Sequence, residues 1–204
     1  MFYLIAKLFV ALFVKIVFQL KVYGRGNVPK KGAFILASNH LSYLDPPALG
    51  AASPRALHFM ARHDLFNNWA FGALIRASNA FPVRRGGIDP SAFKEAIERL
   101  KNGQVLLIFP EGRRSETGEL GTPQSGVGFL SITADVPILP AYIKGTREAL
   151  PKGARFIKPK SISVYFGKII EPKKLTLPND KKEACEELAN YVMDEIKRLK
   201  DSAQ

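Results

Sequence analysis

His40 and Asp45 stand five residues apart in Asn39-His40-Leu41-Ser42-Tyr43-Leu44-Asp45-Pro46, directly after an apolar run over residues 33–38. Histidine has the side-chain pKa nearest neutrality, so it is the natural acceptor for a proton leaving a hydroxyl nucleophile. A carboxylate bonded to one ring nitrogen would fix its tautomer and stabilise the imidazolium. The nucleophile would arrive with the substrate. The sequence has no G-x-S-x-G elbow, and its single cysteine, Cys185, falls in an outer amphipathic helix. Asp45 ahead of Pro46 also reads as a helix N-cap followed by Pro at the first helical position, a purely structural role.

A second cluster follows another apolar run, Val-Leu-Leu-Ile-Phe: Phe109-Pro110-Glu111-Gly112-Arg113-Arg114-Ser115. Pro and Gly shape a turn from which a carboxylate and guanidinium groups emerge together. Glu111 can accept a hydrogen bond from a polyol hydroxyl, and Arg114 or Arg113 can fork onto a phosphate. A third basic element, Phe81-Pro82-Val83-Arg84-Arg85-Gly86-Gly87, can close on the same phosphate. Surface ion pairing is the plain alternative for any one of these groups. His58 and His63 have no partner at metal-ligand spacing, and no metal or bound cofactor is expected.

These groups need a scaffold that ends several buried strands at one edge. Apolar runs at residues 33–38, 57–60, 81–83, 105–109, 137–143 and 161–166 read as strands. Between them, residues 47–52, 67–77, 90–101 and 126–134 read as helices, and residues 180–200 as a long amphipathic one packed on the core. Such alternation predicts a single α/β domain with a mixed, mostly parallel sheet flanked by helices, and the candidate residues on loops at strand ends.

Thirty Lys and Arg against eighteen Asp and Glu give a net charge of +12, which favours an anionic partner: nucleic acid, anionic lipid or a phosphorylated substrate. The basic runs are not interleaved with aromatics as a stacking platform needs, so no nucleic-acid partner is expected. Much of the charge falls in residues 144–174, a candidate membrane-facing patch or a solvated basic surface. One cysteine excludes an intramolecular disulfide and fits a reducing, cytoplasm-facing location. In residues 1–20, Lys7, Lys15 and Gln19 interrupt the apolar side chains and fall within about a third of a turn, opposite Phe2, Ile5, Phe9, Leu12, Phe13 and Ile16. The expectation is an interfacial helix lying on a membrane, rather than a spanning segment or a cleaved signal peptide. A helix buried on the protein's own core is the alternative.

Taken in order, N-H-L-S-Y-L-D, F-P-V-R-R-G, F-P-E-G-R-R-S and V-P-I-L-P-A-Y-I resemble the four blocks of the 1-acylglycerol-3-phosphate acyltransferase family. The resemblance covers residues 23–165, and residues 21–204 would then form the acyltransferase domain behind the helix of residues 1–20. It implies a peripheral or monotopic enzyme of phospholipid biosynthesis on the cytoplasmic face of the membrane. Such an enzyme moves a fatty acyl group from acyl-carrier protein or coenzyme A to lysophosphatidic acid, giving phosphatidic acid. By position it makes His40 and Asp45 the catalytic pair and Arg85, Glu111, Gly112 and Arg114 the acceptor-binding residues, with Pro137 and Ile138 near the acyl chain. Arg113 stands where that family usually has Thr, and Arg62-His63 departs from a common Lys-x-Glu-Leu pattern. Another lysolipid or glycerol-3-phosphate therefore remains an alternative acceptor. A non-catalytic anionic-lipid-binding protein is the alternative outside enzymology.

Overall fold

Runs of Val, Ile and Leu that alternate between two buried faces can be satisfied only by a sheet covered on both sides. The computed structural model, which describes residues 12–84, 89–151, 153–154 and 156–203, has that architecture. Seven strands, β1 (Lys21–Tyr23), β2 (Phe34–Ser38), β3 (Leu57–Arg62), β4 (Ala80–Val83), β5 (Val105–Ile108), β6 (Ile138–Lys144) and β7 (Ser163–Phe166), form one sheet in the order β1-β7-β6-β2-β5-β3-β4. The block from β6 to β4 is parallel; β7 runs antiparallel to β6, and β1 parallel to β7. The mixed, mostly parallel α/β sheet expected from the alternation is the one observed.

Helical residues 12–17 form α1, followed by α2 (Asp45–Ala52), α3 (Trp69–Ala77), α4 (Pro90–Lys101), α5 (Gly126–Ala134), α6 (Thr146–Ala149) and α7 (Lys181–Ser202). Phe34 and Leu36 of β2 face one core layer with Val14 and Phe18 from the α1 segment and Ala48 and Leu49 of α2. Ile35 and Ala37 face the opposite layer, built with Leu100 of α4, Leu130 of α5 and Leu188 and Val192 of α7. Asp89 accepts from the backbone N–H groups of Ser91 and Ala92, and with Pro90 in the first turn it starts α4 at the residue the sequence predicts. Asp180 caps α7 in the same way through Glu183 N–H. The helices α5 and α7 approach closely at Gly128, where any Cβ would fall 2.2 Å from the carbonyl oxygen of Cys185.

Phe2, Ile5, Lys7 and Phe9 lie outside the described residues. In the described part of that segment Val14 and Phe18 are buried, whereas Leu12, Phe13 and Ile16 are exposed. Of the residues in α3 only Gly72 is buried. Among the described residues no helix is long and apolar enough to cross a membrane.

Candidate active site

The chain leaves β2 at Ser38, and Asn39 ties the exit down. Its side-chain Nδ2 donates to Ile143 O at 2.9 Å and its Oδ1 accepts from Ile143 N–H at 2.8 Å, so a side-chain amide extends the pairing of β2 with β6 beyond the last strand residue. His40 comes next, at the carboxyl end of a central strand, where crossovers leave the sheet in opposite directions and α/β folds open a crevice.

Asp45 is 0% exposed and its Oδ2 is the hub of the loop. It accepts from Leu41 N–H at 2.6 Å and Ser42 N–H at 2.8 Å, and lies 2.7 Å from His40 Nδ1. An oxygen that already faces amide donors is an acceptor, so the proton of the third bond sits on Nδ1 and the lone pair of the imidazole is on Nε2. The N-cap, the structural alternative for Asp45, is not what forms. The cap is Leu44, with no side-chain cap bond; Asp45 is the first helical residue and its carboxylate turns back to the preceding loop. The carboxylate still lies in the first turn of α2, where the helix dipole favours negative charge.

The third block meets the first directly. Glu111 Oε1 accepts from His40 N–H at 3.1 Å and its Oε2 from Gly121 N–H at 2.9 Å, while Ser115 N–H donates to His40 O at 2.8 Å. Glu111 is 7% exposed, and burial pushes its carboxyl above the usual glutamate range, against the pull of those backbone bonds. It is therefore a strap between loops, in addition to any contact with an acceptor hydroxyl. Gly112 turns with φ +68° and is exposed. The Arg114 guanidinium lies 3.7 Å from the centre of the Tyr43 ring, which leaves its N–H edges available to an anion. Arg113 is exposed beside it. Arg85, the expected phosphate ligand of the second block, lies outside the described residues. Arg84 is exposed, and its N–H donates to Asp89 Oδ2 at 2.9 Å.

Phe109, Tyr43 and Gly121 were not singled out from sequence. Residues 105–109 read as one strand, but β5 stops at Ile108, and Phe109 ahead of Pro110 leaves it to stack on His40 with ring centres 3.9 Å apart. Gly121 is a close approach, since a Cβ there would lie 3.0 Å from Glu111 Oε2. The one signal available was the aromatic beside each charged block. Pro137 and Ile138, which the family resemblance puts near the acyl chain, lie at the amino end of β6. Ile138 pairs with Ile35 and is wholly buried at the amino end of β6, so along β2 it is about 16 Å from His40 at ~3.3 Å per residue.

Neither Ser42 nor Cys185 is free to act as a nucleophile. The Ser42 hydroxyl donates to Leu150 O at 2.8 Å, and Cys185 is buried under α5, where burial pushes its thiol up. His58 bonds Arg99, and burial followed by the Arg99 charge pushes its pKa down to about 4. No cluster of metal-ligating side chains occurs among the described residues.

The profile of a family described as Acyltransferase matches residues 19–144. A 1-acyl-sn-glycerol-3-phosphate acyltransferase of Bacillus subtilis (strain 168) is 34% identical over 137 residues, covering 65% of this chain and 68% of the relative. One from Streptococcus pneumoniae is 31% identical over 173 residues, 84% of this chain and 62% of that protein. The crystal structure of the 1-acyl-sn-glycerophosphate (LPA) acyltransferase PlsC from Thermotoga maritima superposes with a TM-score of 0.76 at 28% identity, over 94% of this chain and 77% of that one.

Proposed function

The chain belongs to the acyltransferase family, in its 1-acylglycerol-3-phosphate branch, and we propose that it moves a fatty acyl group from an acyl thioester to the free hydroxyl of lysophosphatidic acid, giving phosphatidic acid. The observation that carries the chemistry is the His40 Nδ1–Asp45 Oδ2 contact of 2.7 Å, which leaves Nε2 as the basic nitrogen. In the proposed reaction Nε2 takes the proton of the acceptor hydroxyl as its oxygen attacks the thioester carbonyl. The tetrahedral intermediate collapses with cleavage of the C–S bond, and the departing thiolate takes that proton back from the imidazolium as free thiol. Asp45 balances the transient positive charge. No acyl-enzyme is formed, in keeping with the bonded Ser42 hydroxyl and the buried Cys185.

Phosphate binding falls to Arg114, held over the Tyr43 ring, with Arg85 as the partner expected from the second block. Stacking on an aromatic ring lowers the freedom the guanidinium would lose on binding a headgroup. The thiol carrier is acyl-carrier protein or coenzyme A. The exposed apolar residues Leu12, Phe13 and Ile16 support a membrane-surface enzyme that draws its acceptor from the bilayer. The exposed Arg113 beside Arg114 keeps a second reading open, a differently charged lysolipid or glycerol-3-phosphate in the same site.

The test is acyl transfer by purified protein in mixed micelles, from acyl-carrier-protein and coenzyme A thioesters to lysophosphatidic acid, with His40→Ala as control. Wild-type turnover and a loss of about 10²- to 10⁴-fold in the variant is the expected result. Turnover that ignores His40 overturns the mechanism. Binding to anionic lipid with no turnover from any lysolipid or glycerol-3-phosphate overturns the enzymatic reading in favour of a lipid-binding protein.

A further inference from the structure

The sequence of α3, Trp-Ala-Phe-Gly-Ala-Leu-Ile-Arg-Ala, contains one charged residue, Arg76, and no acidic one. A helix that is apolar all round belongs inside a protein or in lipid. Yet Trp69 is 86% exposed, Phe71 and Leu74 are exposed, neither core layer takes a side chain from α3, and Gly72 packs against the backbone of Phe66. Exposed apolar surface of this kind marks a contact with something else.

The topology locates it. Strand β3 ends at Arg62 on the carboxyl edge of the parallel block, the edge that carries His40 and Glu111, and α3 starts there and returns to β4. At the far end of the same edge, Lys144 of β6 pairs with Ser163 and Ile162 N–H donates to Phe18 O. The end of α1 and the segment leading into β7 are therefore also at that edge. That segment carries Phe156, 82% exposed, next to the exposed Ile157, Lys158 and Lys160. Exposed apolar side chains thus stand at both ends of the edge with the candidate active site between them.

We propose that α3 is a membrane-contact element in its own right, its Trp69 face entering the headgroup–acyl boundary of an anionic bilayer and, with the α1 end, holding the carboxyl edge flat against the lipid. The inference rests on the reading of the site as one that takes a bilayer-resident acceptor. Charge selects the occupant. A net +12, with basic groups beside the apolar ones, attracts an anionic lipid surface and repels a second copy of the same chain. Tryptophan at the tip suits the interface, where its ring is half in the apolar layer and its N–H in water.

Trp69 is the single tryptophan, so emission from the full chain reports this helix alone. The experiment adds vesicles of phosphatidylcholine mixed with phosphatidylglycerol, and follows emission, sedimentation and acyl transfer to lysophosphatidic acid in the same samples. Emission should move to shorter wavelength, fall with lipids brominated near the headgroup, and shift less with phosphatidylcholine alone. Phe71→Ser with Leu74→Ser should weaken partition about tenfold, as loss of two half-buried apolar side chains implies. Unshifted emission overturns the inference, whether or not the protein sediments, and acyl transfer under those conditions leaves the enzymatic reading standing. A shift that grows with protein concentration in the absence of lipid overturns it in favour of self-association. A lipid-dependent shift without transfer supports the role of α3 and counts against the enzymatic reading alone.

Discussion

The connection from β2 into α2 and the connection from β3 into α3 leave the same edge of the same sheet and are opposites in every other respect. In the first, Ser38, Asn39, Ser42 and Asp45 are buried polar residues: the Ser38 hydroxyl donates to Asn39 Oδ1, Asn39 pairs with Ile143, Ser42 donates to Leu150 O, and Asp45 Oδ2 gathers the loop N–H groups while its Oδ1 has no hydrogen-bond partner among the described residues. In the second, Trp69, Phe71 and Leu74 are apolar and open. Burying polar groups is costly in proportion to the partners they lack, and a group of exposed large apolar side chains marks a contact with something other than water. The contrast separates two demands on one edge: a rigid polar constellation that fixes one imidazole nitrogen, and a loose apolar flank that meets the phase the substrate comes from.

Asp45→Asn tests the rigid side hardest. An amide oxygen can stay where Oδ2 is and still accept from Leu41 and Ser42 N–H, so the loop should hold. A neutral oxygen stabilises an imidazolium far less than a carboxylate. The expected result is a fall in kcat of about 10²- to 10⁴-fold with little change in acceptor KM, read by steady-state kinetics. An unchanged kcat would sink the pair as the proton-transfer unit. The loop would then be merely a well-bonded turn.

Asn39→Ala removes the clasp on β6 and strands the N–H and C=O of Ile143, which is fully buried. Each buried backbone group left unpaired costs about 1–3 kcal/mol, so a loss of about 2–6 kcal/mol is expected in denaturant unfolding. The effect on kcat should follow, because His40 is the next residue. A midpoint equal to wild type would mean the loop is not built on buried bonds, and the comparison with α3 would lose one of its sides.

Much of this was legible in sequence, and the exceptions have physical causes. The strands β2, β5 and β6 could be read because both faces are buried and nearly every residue is apolar, and α4 because cap and periodicity agree. Strand β1 could not, since a three-residue Lys-Val-Tyr edge is defined by its partner β7, remote in sequence. His40 and Asp45 followed from residue type, spacing and the family resemblance. Their companions did not: Phe109 under the imidazole, Tyr43 under Arg114 and Gly121 against Glu111 matter through distances that no linear spacing encodes. The position of Ile138 relative to His40 was not legible either. The fourth block was read as one unit, yet a strand separates its two ends by its own length, and the end near His40 is Ile143. Residues 67–77 read as a helix from their pattern, but that pattern does not say whether protein or lipid covers the apolar side chains.

The smallest expected effect is the most telling one for α3. In lipid-free buffer Phe71→Ser with Leu74→Ser should change the unfolding free energy by no more than about 0.5 kcal/mol, the range of surface substitutions away from packed or capped positions. The cap of the helix, Asn68 accepting from Phe71 N–H at 2.9 Å, is a backbone bond that the serine keeps. Burial of the same side chains in an ordinary core would cost about 2–5 kcal/mol apiece on truncation. Unfolding by urea of wild type and the double variant side by side distinguishes the two. A loss of several kcal/mol would place Phe71 and Leu74 inside the protein and make α3 one more scaffold helix. Near-identical curves, together with weaker vesicle partition, mean that the apolar face of α3 contributes nothing to the fold and is kept for what lies outside it.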